Sequence, residues 1–93
     1  MRAAPRIEAF DVHLASAGGL SEHTRRAYRF TLGELAEHLG DRTLDEARPV
    51  HCRTVLVRLG RGREEATVAR HVAALRTVFR WRVRAGAMAE SPA

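Results

Sequence analysis

Apolar residues recur along this chain at intervals of three and four, and no convincing stretch of strict alternation interrupts them. Ile7, Phe10, Leu14 and Ala17 share one helical face. Pro5 suits a first turn, where its missing N–H has no partner anyway. The spacing therefore predicts a helix from about Pro5 to Ala17, stopped by Gly18 and Gly19. A second helix is predicted from about Glu22 to Leu39, with Ser21 as its N-cap. Its buried stripe is Tyr28, Leu32, Leu35 and Leu39, and Gly40 ends it. Gly33 weakens this helix by ~1 kcal/mol relative to Ala. A third helix, from about Pro49 to Leu59, turns Cys52, Val55, Leu56 and Leu59 inward. Its β-branched Thr54, Val55 and Val57 argue against helix, but a strand here would find no partner elsewhere. The fourth helix, from about Glu64 to Ala85, carries Val68, Val72, Leu75, Phe79 and Val83 on its inner face. Glu64 and Glu65 suit its positive end, and Gly86 closes it. Asp41 to Arg48 reads as a loop, and Gly60-Arg61-Gly62 as a flexible basic turn. An all-α four-helix bundle follows, with Phe10, Leu14, Tyr28, Leu32, Leu35, Leu56, Val72, Leu75 and Phe79 in its core. Residues 1–86 form the domain, and residues 87–93 read as the start of a linker.

Ninety-three residues suit one domain with a modest core. No apolar run reaches the length of a membrane span, and no apolar stretch follows Met1 to Arg6 as a secretory signal would require. A cytoplasmic location is the expectation. Cys52 stands alone, so no intrachain disulfide can form. His13, His23, His38, His51 and His71 lack metal-ligand spacing, so neither metal nor cofactor is expected. Charge is more informative. The 16 basic residues are all Arg and face 11 acids, a formal net charge of +5. A bias of composition accounts for the missing Lys but not for the net excess, which favours a phosphate-rich partner.

Two faces concentrate that charge. On the second helix, Glu22, Arg25, Arg26 and Arg29 are expected opposite the apolar stripe, with His23 and Thr24 near its start. Three Arg in one and a half turns repel one another. A phosphate backbone would offset this; so would a solvated face relieved by Glu22 and Glu34. On the fourth helix, Thr67, Arg70, His71, Ala74 and Thr77 are expected to form a small, polar, basic outer face, and Arg76, Arg80, Arg82 and Arg84 make its C-terminal half basic. Complementing the helix C-terminus is the alternative role for those Arg. Nothing points to catalysis. Tyr28 sits on the core stripe, no Gly-rich phosphate loop or nucleophile elbow occurs, and adjacent His51 and Cys52 diverge by about 100° on a helix.

Gly19 to Leu32, GLSEHTRRAYRFTL, resembles the signature of the core-binding domain of tyrosine recombinases: a Leu-Ser cap, a Thr, Ala-Tyr, a basic residue and Leu. Ala66 to Gly86, ATVARHVAALRTVFRWRVRAG, resembles the last helix of the same domain, and Glu90 to Ala93, ESPA, the start of its linker. The resemblance spans nearly the whole chain in order and is closest to the Xer and phage-integrase branches. It implies a SAM-like four-helix bundle that forms one jaw of a C-shaped clamp on duplex DNA. The second and fourth helices would cross the DNA near the major groove. By position, Thr24, Arg25, Tyr28 and Arg29 match the DNA-facing part of the second helix, and Thr67, Arg70, His71 and Arg76 that of the fourth. The family's catalytic Arg, His and Tyr lie in a downstream domain, so the resemblance implies no catalytic residue here. It implies as partners that domain and other recombinase protomers on DNA. The sequence departs from the pattern at His71, where a second Arg is common, at Glu64 and Glu65, which replace a Ser-Pro start, and at Arg48, which replaces a small polar cap. The competing reading is a helical protein-interaction module, which would expose Phe30 and Trp81 together in an apolar patch.

Overall fold

Each expected helix forms, and its ends lie where the sequence places its stop signals. The computed structural model describes residues 1–93. It contains α1 (Ala4–Ala17), α2 (Glu22–Leu39), α3 (Pro49–Gly60) and α4 (Glu65–Arg84), with a short 3-10 turn, Leu44–Glu46, between α2 and α3. There is no strand, and no helix is long and apolar enough to cross a membrane. α2 packs on α1, α3 and α4, and α4 also packs on α1 and α3.

The caps follow local chemistry. Ser21 Oγ accepts from the Thr24 N–H at 3.1 Å. Gly40 takes φ 60°, and its N–H donates to the Ala36 carbonyl at 3.0 Å. Before α3 the absent small polar cap is replaced from within the helix: His51 Nδ1 accepts from the Arg48 N–H at 2.9 Å. Gly60 ends α3 against α4, and a Cβ there would lie 3.2 Å from Val68 Cγ2. The bare backbone lets the end of one helix press on the start of the next.

Phe10, Leu14, Leu32, Leu35, Leu75 and Phe79 lie in the core as expected. Tyr28, Leu56 and Val72 do not; they are half-buried. The cause on α4 is a rotation of its inner face. Ala74, Leu75, Val78, Phe79 and Arg82 are the buried positions, while Val68, Val72 and Val83 lie on its edge. Ala74, expected to face outward, has no exposure at all. A helix packed against three others buries a band wider than a single stripe. Cys52 is buried on the inner face of α3, and burial pushes its thiol up to about 11.

The segment Asp41 to Arg48, expected as a loop, is partly folded into the core. Leu44 and Ala47 are buried. Its turn is held by Glu46, whose Oε1 accepts from the Thr43 N–H at 2.7 Å, the reach-back half of a Thr-x-x-Glu capping arrangement. The turn aims Asp45 at α4. Arg82 Nε donates to Asp45 Oδ1 at 2.7 Å, and a terminal Arg82 nitrogen donates to Oδ2 at 2.9 Å. Arg82 is thus not part of the solvent-facing basic surface: it is 6% exposed. The paired hydrogen bond holds the Asp45 carboxyl below its ordinary value and raises the guanidinium.

Two outcomes follow for stability. Leu75→Ala should cost roughly 2–5 kcal/mol in urea denaturation, because Leu75 is fully enclosed. Asp45→Ala should strand the buried Arg82 and cost about 2–3 kcal/mol, less than the roughly 3–5 of a fully enclosed pair because Asp45 is partly open to water. Since the folded state lowers the Asp45 pKa, its stabilisation is complete above the ordinary value of 3.8 and disappears as pH falls through the folded value. The gap between wild type and Asp45→Asn should therefore narrow below about pH 4.

Candidate nucleic-acid interface

The three Arg at the start of α2 are all paired within the protein, though only two carboxylates serve them. Asp11 on α1 accepts from Arg25 Nε at 3.3 Å with one carboxylate oxygen and from Arg29 Nη1 at 3.0 Å with the other. Arg26 pairs with Glu22 one turn before it at 3.4 Å, in full solvent. The Arg25 side chain is only 23% exposed. It lies on the flank of α2 that meets α1, not opposite the apolar stripe as expected.

The other flank of α2 meets α4. His23, Thr24, Ala27 and Tyr28 line a shallow cleft of about 160 Å³ with Arg70 and Ala73 of α4. Thr24 Oγ1 accepts from Ser21 Oγ at 3.0 Å, which fixes the hydroxyl at the mouth of the cap. Tyr28 packs its ring against the edge of the core. Thr24, Tyr28 and Arg70, expected to act together, are thus brought together. Arg25 and Arg29 are not, because Asp11 turns them toward α1.

On α4, Arg70, Arg76, Arg80 and Arg84 are exposed, with exposed Ala66 and Ala69 in the turns before them. None of these Arg has a carboxylate within ion-pair distance, whereas Arg25, Arg26, Arg29 and Arg82 all do. Arg76 lies about 120° round the helix from Arg70, outside the cleft with Thr24. Thr77 is half-buried, and its hydroxyl donates to the Ala73 carbonyl at 2.7 Å.

Thr67 and His71 are half-buried at the corner where α3 turns into α4. His71 Nδ1 lies 2.7 Å from Thr31 Oγ1, whose other contact, the Ala27 carbonyl, is at 3.3 Å. The Ala27 carbonyl can only accept, so the Thr31 hydroxyl donates to it and accepts from the His71 Nδ1–H. Burial, then the charge of Arg63, holds the imidazole below its ordinary range. Around it, Phe30, Arg58, Leu59, Arg61, Arg63, Thr67 and His71 line a second cleft of about 310 Å³. Of these only Thr67 and His71 were singled out from the sequence as site residues. The run Arg58-Leu59-Gly60-Arg61-Gly62-Arg63 carried the signal for the rest.

The two aromatics that would mark a protein-docking patch are separated. Phe30 is 57% exposed and adjoins His71. Trp81 is half-buried, with ring centroids 5.3 Å from Phe10 and 5.8 Å from His13.

Comparison with known proteins converges on one family. The profile described as phage integrase, N-terminal SAM-like domain, matches residues 7–86. Among curated proteins, the chain is 37% identical over 90 residues to tyrosine recombinase XerC of Mycobacterium leprae (strain TN), covering 94% of this chain and 30% of that relative. It is 36% identical over 92 residues to tyrosine recombinase XerC of Mycobacterium sp. (strain JLS), covering 94% and 31%, and 38% identical over 90 residues to that of Mycobacterium bovis (strain BCG / Pasteur 1173P2), covering 94% and 30%. The chain thus spans about 30% of the length of the curated relatives it matches. No solved structure matches it.

The His71 environment generates a pH prediction. Its folded pKa is lowered, so its stabilisation is complete above the ordinary value of 6.5 and is lost as pH falls through the folded value. Thermal melts should show stability falling below about pH 6.5, and His71→Gln should reduce that pH dependence. His51, also lowered by burial, accounts for a further share.

Proposed function

The chain belongs to the phage integrase N-terminal SAM-like domain family, and from that premise we propose that it binds duplex DNA as one jaw of a tyrosine recombinase clamp. The observation that carries this reading is the run of exposed, unpaired Arg along one side of α4. Asp11, Glu22 and Asp45 pair with Arg25, Arg26, Arg29 and Arg82, while Arg70, Arg76, Arg80 and Arg84 on the outer side of α4 have no carboxylate in reach. Unpaired guanidiniums on an exposed helix face suit contact with a phosphate backbone.

In this reading Thr24, Tyr28 and Arg70 form the centre of the contact, where α2 and α4 share a cleft. Thr67 and His71 extend it along α4 and Arg76 widens it. Arg25 and Arg29 contribute through the part of their charge that Asp11 leaves unbalanced. Affinity comes mainly from phosphates, with few base contacts, so sequence preference is weak. Strand cleavage and rejoining are assigned to a catalytic domain working with this one, together with other protomers on the same DNA. The interaction-module reading has less support, because Phe30 and Trp81 do not form a joint patch.

The test is a titration of the chain against random duplex across salt concentrations. Each phosphate neutralised adds about 0.9 to the log–log salt slope. Arg70→Ala should flatten the slope by about one unit on every duplex. Arg25→Ala should flatten it less, and Asp11→Asn should tighten binding, because Asp11 already offsets part of that charge. A preference of ~1–3 kcal/mol for one sequence that vanishes in Arg70→Ala would instead make Arg70 a reader of base edges. A folded chain that binds no duplex at low salt overturns the reading.

A further inference from the structure

We propose that the corner between α3 and α4 is a second phosphate seat, built by Arg58, Arg61, Arg63 and His71, which holds a duplex backbone phosphate apart from the α2–α4 cleft. The proposal rests on the duplex-binding reading and extends it to Arg58, Arg61 and Arg63, which that reading does not use.

The corner has the chemistry of an anion site. Arg58, Arg61 and Arg63 converge on one cleft of about 310 Å³, and no carboxylate lies within ion-pair distance of any of them. The three Arg of α2, by contrast, each have such a partner. Like charges gathered in a partly enclosed space focus a positive field and favour an anion. Each guanidinium offers planar paired donors that match phosphate oxygens. His71 completes the set. Its Nδ1 is occupied by the Thr31 hydroxyl at 2.7 Å, so Nε2 is the ring nitrogen left to meet a ligand in the cleft. The half-buried Thr67 adds a hydroxyl on the same wall.

The corner is also braced. Gly60 abuts Val68, and the Arg63 N–H donates to the Gly60 carbonyl at 3.1 Å, closing the turn. The turn residues Arg61 and Arg63 are exposed and make no side-chain hydrogen bond to the protein, so both are free to meet a ligand. Glu64 and Glu65 follow directly but pair with neither. The phosphate could come from duplex DNA or from a free anion; the juxtaposition with the exposed face of α4 favours the duplex.

The experiment compares wild type, Arg70→Ala and the double variant Arg61→Ser/Arg63→Ser by fluorescence anisotropy with a random 20-bp duplex across salt concentrations. Both double-variant positions are exposed and unpaired, so circular dichroism should be unchanged. The expected result is a salt slope flattened by about one unit in the double variant, additive with the loss in Arg70→Ala. In parallel, the His71 ring resonances of wild type should move on adding the duplex and remain in place with inorganic phosphate at equal concentration. An unchanged slope in a double variant that still binds overturns the corner seat and leaves the duplex reading intact. Equal shifts with inorganic phosphate overturn the duplex as occupant. No duplex binding by folded wild type overturns both.

Discussion

Helix α4 has to touch every other helix of the bundle and still keep one face in water. That double demand organises the structure. Its inner band closes the core against α1, α2 and α3 through Leu75, Val78 and Phe79. Its outer side keeps Arg70, Arg76, Arg80 and Arg84 in solvent. The boundary between the two is enforced by Arg82, which falls on the buried side and would be costly there without Asp45. The short turn at Leu44–Glu46 exists in this geometry because it delivers that carboxylate, and it buries Leu44 in doing so. The pair need not add much net stability over two apolar side chains. Its two hydrogen bonds tie α4 to the turn that precedes α3.

Acids and bases are therefore not mixed at random over the surface. Asp11 and Asp45 each bind Arg across helix boundaries, and both do so with two oxygens. The Arg they serve become part of the scaffold. Those left unserved include the row on the outer side of α4 and the three at the α3–α4 corner, with Arg2, Arg6, Arg42, Arg48 and Arg53 elsewhere on the surface. Net charge alone would not distinguish this arrangement from a uniformly basic shell. The pairing pattern does, because paired guanidiniums have already exchanged water for carboxylate and offer less to an incoming anion.

Local signals in the sequence were legible; signals between helices were not. Ser21, Gly40, Pro49 and Gly86 mark helix ends through their own backbone chemistry, and the ends fall there. The stripe of α2 was readable because Leu32, Leu35 and Leu39 repeat on one side. On α4 the apolar residues Val68, Val72 and Val83 suggested a stripe turned away from the true one, since a helix with three neighbours buries Ala74 and Val78 too. The Thr43 to Glu46 pattern was a readable turn signal that the loop assignment passed over. Asp11 as partner of Arg25 and Arg29 had no sequence signature, because it stands fourteen or more residues away and meets them only after α1 and α2 pack. Thr24, Tyr28 and Arg70 could be put on the two DNA-facing helices from the sequence, but the cleft they share exists only once α2 packs on α4.

The single thiol gives this fold an internal clock. Cys52 is enclosed beside Val55 in the one cluster all four helices share, and burial keeps it protonated near neutral pH. An alkylating reagent can react with it only when α3 lifts from the bundle, so the labelling rate counts openings of the native state rather than surface collisions. Because α3 ends at the corner that meets α4, the same chemistry would time how often that corner comes apart, and whether a bound nucleic acid slows it.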